Sequence, residues 1–326
     1  MPALVAENLN TQIICMKKFI LLATFAGLLC SFNAHAQILT LGILPAADSV
    51  VIENAAKQGL FKAEGMEVKT LPFKSALEVS AALKAGRLDG YFVDLMNVIL
   101  NNASGACLEV IASTTHTTPL QRHFGLAVSP KIKDKITSLK DLNKTDTAVS
   151  SGTIIAYLLQ RMRESTALAQ EALHEVEVKQ IPVRLQMLLS GKIDTALLPE
   201  PLLTLLECKG GRVIWDDRNL HEALAVIAVK KNLLSPEKLQ GFRRALSKSV
   251  ALIEADPETY RTFMVEKRLL PKAAAENYQM LRFSLFNTDD QLPPLPSDDE
   301  VLRVEQWMIS QKLIKKIQEP SSLIRR

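Results

Sequence analysis

The sequence predicts an α/β protein built as two similar lobes, each around a mainly parallel sheet, with two crossover strands joining them. Three observations carry this reading. Ala85-Gly86-Arg87-Leu88-Asp89-Gly90-Tyr91-Phe92 is restated as Ser190-Gly191-Lys192-Ile193-Asp194-Thr195-Ala196-Leu197, with Gly86 and Gly191, and Asp89 and Asp194, standing 105 residues apart. That spacing is too long for a solenoid repeat and suits a whole lobe. Short apolar runs alternate with helical periods through both halves, the pattern of a parallel sheet with helical connections. Two further apolar runs, 124–128 and 223–229, lie where the chain would pass between lobes.

In the first half, 39–44 reads as a strand ended by Pro45, and 50–58 as a helix stopped at Gly59. A strand at 68–71 ends at Pro72, and a helix at 76–85 has Gly86 just beyond it, where a left-handed residue costs least. A strand at 90–93, a helix at 95–101 and a strand at 109–112 complete the half. The second half follows the same order: strand 147–149, helix 154–164, strand 176–180, helix 183–189, strand 195–198, helix 202–207 and strand 212–215. The runs 124–128 and 223–229 are expected to pair as crossover strands, placing 37–127 with 225–326 in one lobe and 128–224 in the other. The remainder reads as helices at 236–254, 257–268, 273–282 and 298–313, broken by an extended Leu292-Pro293-Pro294-Leu295-Pro296. Residues 318–326 are expected to form a weakly ordered tail.

The N-terminus carries a different signal. Met16-Lys17-Lys18 opens a basic segment, 19–30 is apolar, and Ala34-His35-Ala36 is a small-x-small cleavage site. This is the pattern of a secretory signal peptide, and the apolar run is short of the roughly 20 residues that span a bilayer. Translation is expected to start at Met16, residues 1–15 being an upstream extension, and the exported chain to begin at Gln37 in the periplasm. It would keep 290 residues with a formal charge of +3, enough for two cores and too little charge to suggest nucleic acid or an anionic membrane as partner. Cys107 and Cys208, one in each half, are expected to be partly buried thiols and not a bridge.

Ligands of open α/β sheets bind beyond the carboxyl ends of the strands. In the first half that rule selects Ala46, Asp48 and Ser49, then Phe73 and Lys74, then Asp94 and His116. In the second half it selects Ser150, Ser151, Gly152, Thr153 and Glu200. Small hydroxyls and a glycine at a helix start expose N–H groups to an anionic or electron-rich atom, although the same residues also make an ordinary cap. Asp94 and Glu200 follow matching strands and would together accept hydrogen bonds from an amine, with Lys74 supplying the opposite sign. His116 and the other histidines lack metal-ligand spacing. The sequence has no nucleophile elbow, zinc-protease helix, phosphate loop or dinucleotide fingerprint, and no enzyme activity, metal or cofactor is expected.

The ordered set of Leu41-Gly42-Ile43-Leu44, Gln58-Gly59-Leu60-Phe61-Lys62-Ala63-Glu64-Gly65, Leu83 to Gly90, Ser138-Leu139-Lys140-Asp141-Leu142, Ala148 to Thr153 and Gly191 to Pro201 resembles the solute-binding proteins of ABC importers for alkanesulfonates, taurine, nitrate and thiamine-precursor pyrimidines. The resemblance implies a bilobal type II periplasmic-binding-protein fold that closes on a small ligand as a monomer. It further implies delivery to a permease and its ATPase, the chain meeting the membrane only there. Pro45-Ala46-Ala47-Asp48-Ser49 lacks the aromatic residue some relatives place over the substrate, leaving Phe73, Tyr91 and Tyr157 as nearby candidates. The two carboxylates favour a nitrogen-bearing organic ligand of the thiamine-precursor kind. An enzyme of thiamine-precursor metabolism on the same fold and a ligand-presenting sensor are the alternatives; the first lacks the cysteine-rich segment such relatives use.

Overall fold

The computed structural model describes residues 37–286 and 288–326; the expected signal peptide and upstream extension lie outside the described residues. Two five-stranded sheets are present, and their strand orders are the same device used twice. The first runs β2-β1-β3-β10-β4, with β1 Gln37–Ile43, β2 Met66–Pro72, β3 Gly90–Val93, β4 Leu108–His116 and β10 Ala223–Lys230. The second runs β7-β6-β8-β5-β9, with β5 Phe124–Val128, β6 Thr145–Val149, β7 Leu173–Glu177, β8 Thr195–Pro199 and β9 Arg212–Asp216. In each, one strand contributed by the crossover is antiparallel and the other four run the same way.

The restated block explains why the two sheets match. Gly86 and Gly191 sit just past the helices Ala76–Lys84 and Ile181–Ser190 with φ of +72° and +74°, a conformation that strains any residue with a Cβ. Three residues on, Asp89 accepts the Thr40 N–H at 3.0 Å, and Asp194 accepts the Asp146 N–H at 3.2 Å. Each aspartate thus clips the start of its strand to the neighbouring parallel strand of its own sheet. The glycine and the aspartate of the motif build the two lobes.

The crossover runs differ from expectation in one respect. Phe124–Val128 and Ala223–Lys230 do not pair with each other, because each is drawn into a sheet between two strands of its own lobe. The chain therefore changes sheet between β4 and β5 and again between β9 and β10, upstream of the expected boundaries at 127 and 224. The two crossings run side by side: Thr117 donates its N–H to the Glu222 carbonyl at 3.0 Å, and Asp217 donates to the Phe124 carbonyl at 3.1 Å.

Three other expectations are corrected. The strand expected at 176–180 lies at Leu173–Glu177, a largely exposed edge strand whose polar residues hide its start. The helix expected at 273–282 does not form. Its carbonyls are taken by side chains: Arg261 donates to those of Ala275 and Tyr278, and Gln121 donates to those of Gln279 and Met280. The tail is ordered, with Leu323 and Ile324 buried, Arg325 paired to Glu109 at 2.8 Å, and its N–H on the Val110 carbonyl. Cys107 and Cys208 are free, as expected, but both are exposed. Among the described residues no helix is long and apolar enough to cross a membrane, and no cluster of metal-ligating residues occurs.

Candidate ligand site between the two lobes

The carboxyl ends of β1, β3, β6 and β8 face one another across the cleft, which holds three adjoining spaces. The inner cavity, about 70 Å³, is mostly apolar, with Leu44, Phe92, Phe124, Pro199 and Leu224 in its walls and Asp94, Ser150, Thr153, Lys179 and Arg184 as its polar groups. A vestibule of about 260 Å³ shares Ala76, Ser150, Thr153 and Lys179 with it. A deeper recess of about 40 Å³ shares Ala46, Phe124, Pro199 and Ala225, and adds Asp48, Thr115, His123 and Glu200. A larger hollow, about 530 Å³, lies off the strand ends beside helix Leu202–Cys208, walled by ion pairs such as Arg122 with Glu200 and Glu207.

The lobes are shut on one another. Asp94 caps helix Leu95–Ala103 by accepting the Asn97 N–H at 2.8 Å, and its other oxygen accepts the Ile154 N–H from the opposite lobe at 3.2 Å. Gln180 donates to Glu78 at 2.9 Å, and the Ile181 N–H reaches the Lys74 carbonyl at 3.4 Å. Burial raises the Asp94 carboxyl above its ordinary pKa despite these donors.

Of the expected site residues, Ala46, Asp94, Ser150 and Thr153 line the inner cavity, Ser151 and Gly152 line the vestibule, and Asp48 and Glu200 line the recess. The remaining four are not in these walls. Ser49 is fully buried and donates its hydroxyl to the Ala46 carbonyl at 2.7 Å. Phe73 packs on the core, Lys74 is engaged through its backbone, with its N–H on Glu78 at 3.0 Å and its carbonyl accepting from Ile181, and His116 turns away to pair with Glu300 at 2.8 Å.

The groups that are present are also more occupied than expected. The Ser151 N–H goes to Glu177, the Ile154 N–H to Asp94, and the Ile155 N–H to the Thr153 hydroxyl, so this helix start already holds protein acceptors. Asp48 accepts from the hydroxyls of Thr114, at 2.5 Å, and Thr115. Glu200 accepts from Arg122 at 2.7 Å and from the N–H and hydroxyl of Thr204. Neither member of the carboxylate pair waits for an amine, which removes the reason for expecting one.

Two residues that sequence reasoning passed over carry unmet groups. Arg184 is 1% exposed; Nη1 donates to the Val178 carbonyl at 3.1 Å, while Nε has no partner among the described residues. Burial draws its guanidinium down to about 10, offset in part by the charge of Glu177. His123 is 6% exposed, its Nε2 also has no partner among the described residues, and burial lowers its pKa to about 4. Arg184 left a trace in the sequence: a lone cation between Val183 and Leu185 on the face that also carries Leu188.

These lobes and their shared cleft define the type II periplasmic-binding-protein fold. The alkanesulfonate-binding protein SsuA from Xanthomonas axonopodis pv. citri, solved with bound MOPS, is similar at a TM-score of 0.71 and 16% identity, over 89% of this chain and 98% of that one. The periplasmic nitrate-binding protein NrtA from Synechocystis PCC 6803 is similar at 0.70 and 10%, over 89% and 86%. The Candida albicans CA3427 product, described as having the generic periplasmic binding protein fold, is similar at 0.63 and 12%, over 88% and 96%. No curated protein matches in sequence. The chain belongs to the NMT1-like family, whose model matches residues 33–264.

Proposed function

We propose that this protein is the extracytoplasmic solute-binding component of an ABC importer, closing its lobes on a small organic ligand and handing it to a permease and its ATPase. One observation carries the reading most: strand ends from two topologically identical sheets converge on one cleft whose walls come from both lobes. A ligand in such a cleft touches both lobes only when they are closed, so its binding energy shifts the hinge toward closure. The similar folds of a sulfonate-binding and a nitrate-binding periplasmic protein support this reading. On it, the chain acts as an exported monomer, without a cofactor and without catalysing a reaction.

A thermal-shift screen of sulfonates, oxyanions, amines and pyrimidines tests the proposal. A solute present at 100 times its Kd should stabilise the protein by about 2.7 kcal/mol. A chain that chemically converts its bound solute, detected by mass spectrometry, would be an enzyme instead.

A further inference from the structure

We propose that helix Asp298–Ser310 is a strap across the hinge: carried by the first lobe, it grips helix Ile154–Thr166 of the second through Trp307, Arg303 and the shared carboxylate of Glu222, and so holds the lobes shut. These side chains are positioning residues that set solute affinity from outside the cleft. The inference rests on the solute-binding reading and adds to it a control of the open and shut forms.

The strap moves with the first lobe. Helix Asp298–Ser310 packs on helix Leu95–Ala103, and the chain beyond it is tied to the same lobe. Gln318 gives its N–H to Glu305 at 2.9 Å and its side-chain amide to the Ile99 carbonyl at 3.0 Å. From this base the strap reaches the other lobe. Trp307 meets Tyr157 edge to face, with ring centroids 5.2 Å apart. Leu313, just past the helix, lies against Gly152, where an added Cβ would stand 3.8 Å from it.

Glu222 is where the pieces join. It lies on the second crossing and is 1% exposed. Its N–H goes to the Thr117 hydroxyl on the first crossing at 3.0 Å, which fixes it at the hinge. From the second lobe its carboxylate accepts the Tyr157 hydroxyl at 2.9 Å and Arg161 Nε at 2.8 Å. From the strap it accepts Arg303 Nε at 3.2 Å and Nη2 at 3.3 Å. A buried carboxylate is tolerated only while its donors stay in place. Rotating one lobe about the crossings draws Tyr157 and Arg161 away from Arg303, so opening takes donors from Glu222 and parts the two rings.

The gripped helix carries this to the cleft. Its first residue, Ile154, lines the inner cavity and gives its N–H to Asp94 across it. Tyr157 and Arg161 follow three and seven residues on, along the same face. Tyr157, Glu222, Arg303 and Trp307 are themselves absent from the walls of the inner cavity, vestibule and recess. The fraction of molecules already shut scales the apparent affinity for any solute, so residues remote from the solute can tune its capture.

The test is single-molecule energy transfer on the full chain without solute, with dyes on Cys107 and Cys208 and with Cys15 and Cys30 changed to serine. Arg303→Met should raise the ratio of open to shut molecules by about tenfold, the weight of a hydrogen bond to a charged group. Arg303→Lys should restore part of the balance, because an ammonium lacks the planar fork. Tyr157→Phe keeps its ring on Trp307 and should raise the ratio by less. An Arg303→Met protein that melts lower with an unchanged ratio would make Arg303 structural and overturn the strap, as would a ratio that falls. If Arg303→Met does not fold, Tyr157→Phe decides: an unchanged ratio there overturns the proposal. Either result leaves the binding-protein reading standing. A double variant, Asp94→Ala with Arg303→Met, that still shows the transfer of the natural protein would mean that the lobes do not part, and counts against both.

Discussion

Replacing Asp94 by alanine removes two interactions that belong to different equilibria. One is the cap on helix Leu95–Ala103, where Asp94 accepts the Asn97 N–H at 2.8 Å; such a loss costs about 1 kcal/mol of fold stability. The other is the bond from the Ile154 N–H at 3.2 Å, which exists only when the lobes are shut. A hydrogen bond to a charged group contributes about 1.5–3 kcal/mol, and the length of this one places it at the lower end. About 1.5 kcal/mol is roughly a tenfold shift toward the open form. Asp94→Asn keeps an accepting oxygen and should shift it less. Cys107 and Cys208 are exposed thiols attached to different sheets, so dyes placed on them report the lobe separation once Cys15 and Cys30 are changed to serine. Energy transfer should fall in the order natural, Asp94→Asn, Asp94→Ala. Unchanged transfer with a lowered melting temperature would mean that Asp94 only caps its helix.

Three further outcomes follow from groups outside the cleft. Asp217 is fully buried with one oxygen on the His123 N–H, and burial lifts its pKa from 3.8 to about 7. The folded chain therefore keeps a proton that the unfolded chain releases, and this stability is present below pH 4 and lost as pH rises through 7. Asp217→Asn should flatten that slope and melt higher at pH 8, by an amount equivalent to about 2–4 kcal/mol. The pair of His116 and Glu300 behaves differently. Burial would lower the pKa of His116, but the hydrogen bonds to Glu300 and to the Thr117 carbonyl raise it overall, while Glu300 is lowered to about 2. Its contribution is fullest between the unfolded values of about 4.5 and 6.5 and is lost as pH rises through the folded value of His116. His116→Gln should cost about 1 kcal/mol at pH 5.5 and little at pH 9, read from chemical denaturation. Deleting 318–326 exposes the surroundings of Leu323 and Ile324 and breaks the pair of Arg325 with Glu109, and should cost about 3 kcal/mol or more.

The two-lobe plan was legible because periodicity and punctuation report local structure, and the restated glycine and aspartate do the same local work in each copy. The parts that misled are those where a distant partner decides. Nothing near 273–282 announces that Arg261 and Gln121 will claim its carbonyls, and nothing in Gln318 to Arg326 shows that β4 will receive it. The site followed the same division. The rule of strand ends led to loops that border the cleft, and eight of the twelve expected residues line its spaces. What it could not supply was which polar groups would already be satisfied. Asp94 and Glu200 have ligand-binding chemistry but hold protein donors, whereas Arg184 resembles a surface residue of a helix and is buried with its Nε unpartnered among the described residues.

The account rests on two lobes that close over a solute. Small-angle scattering of the protein, with and without the solute that raises its melting temperature most, tests this directly. The radius of gyration should fall on binding to the value given by the shut arrangement described above. A tightly bound solute that leaves the radius unchanged at the open value would contradict closure as the means of capture.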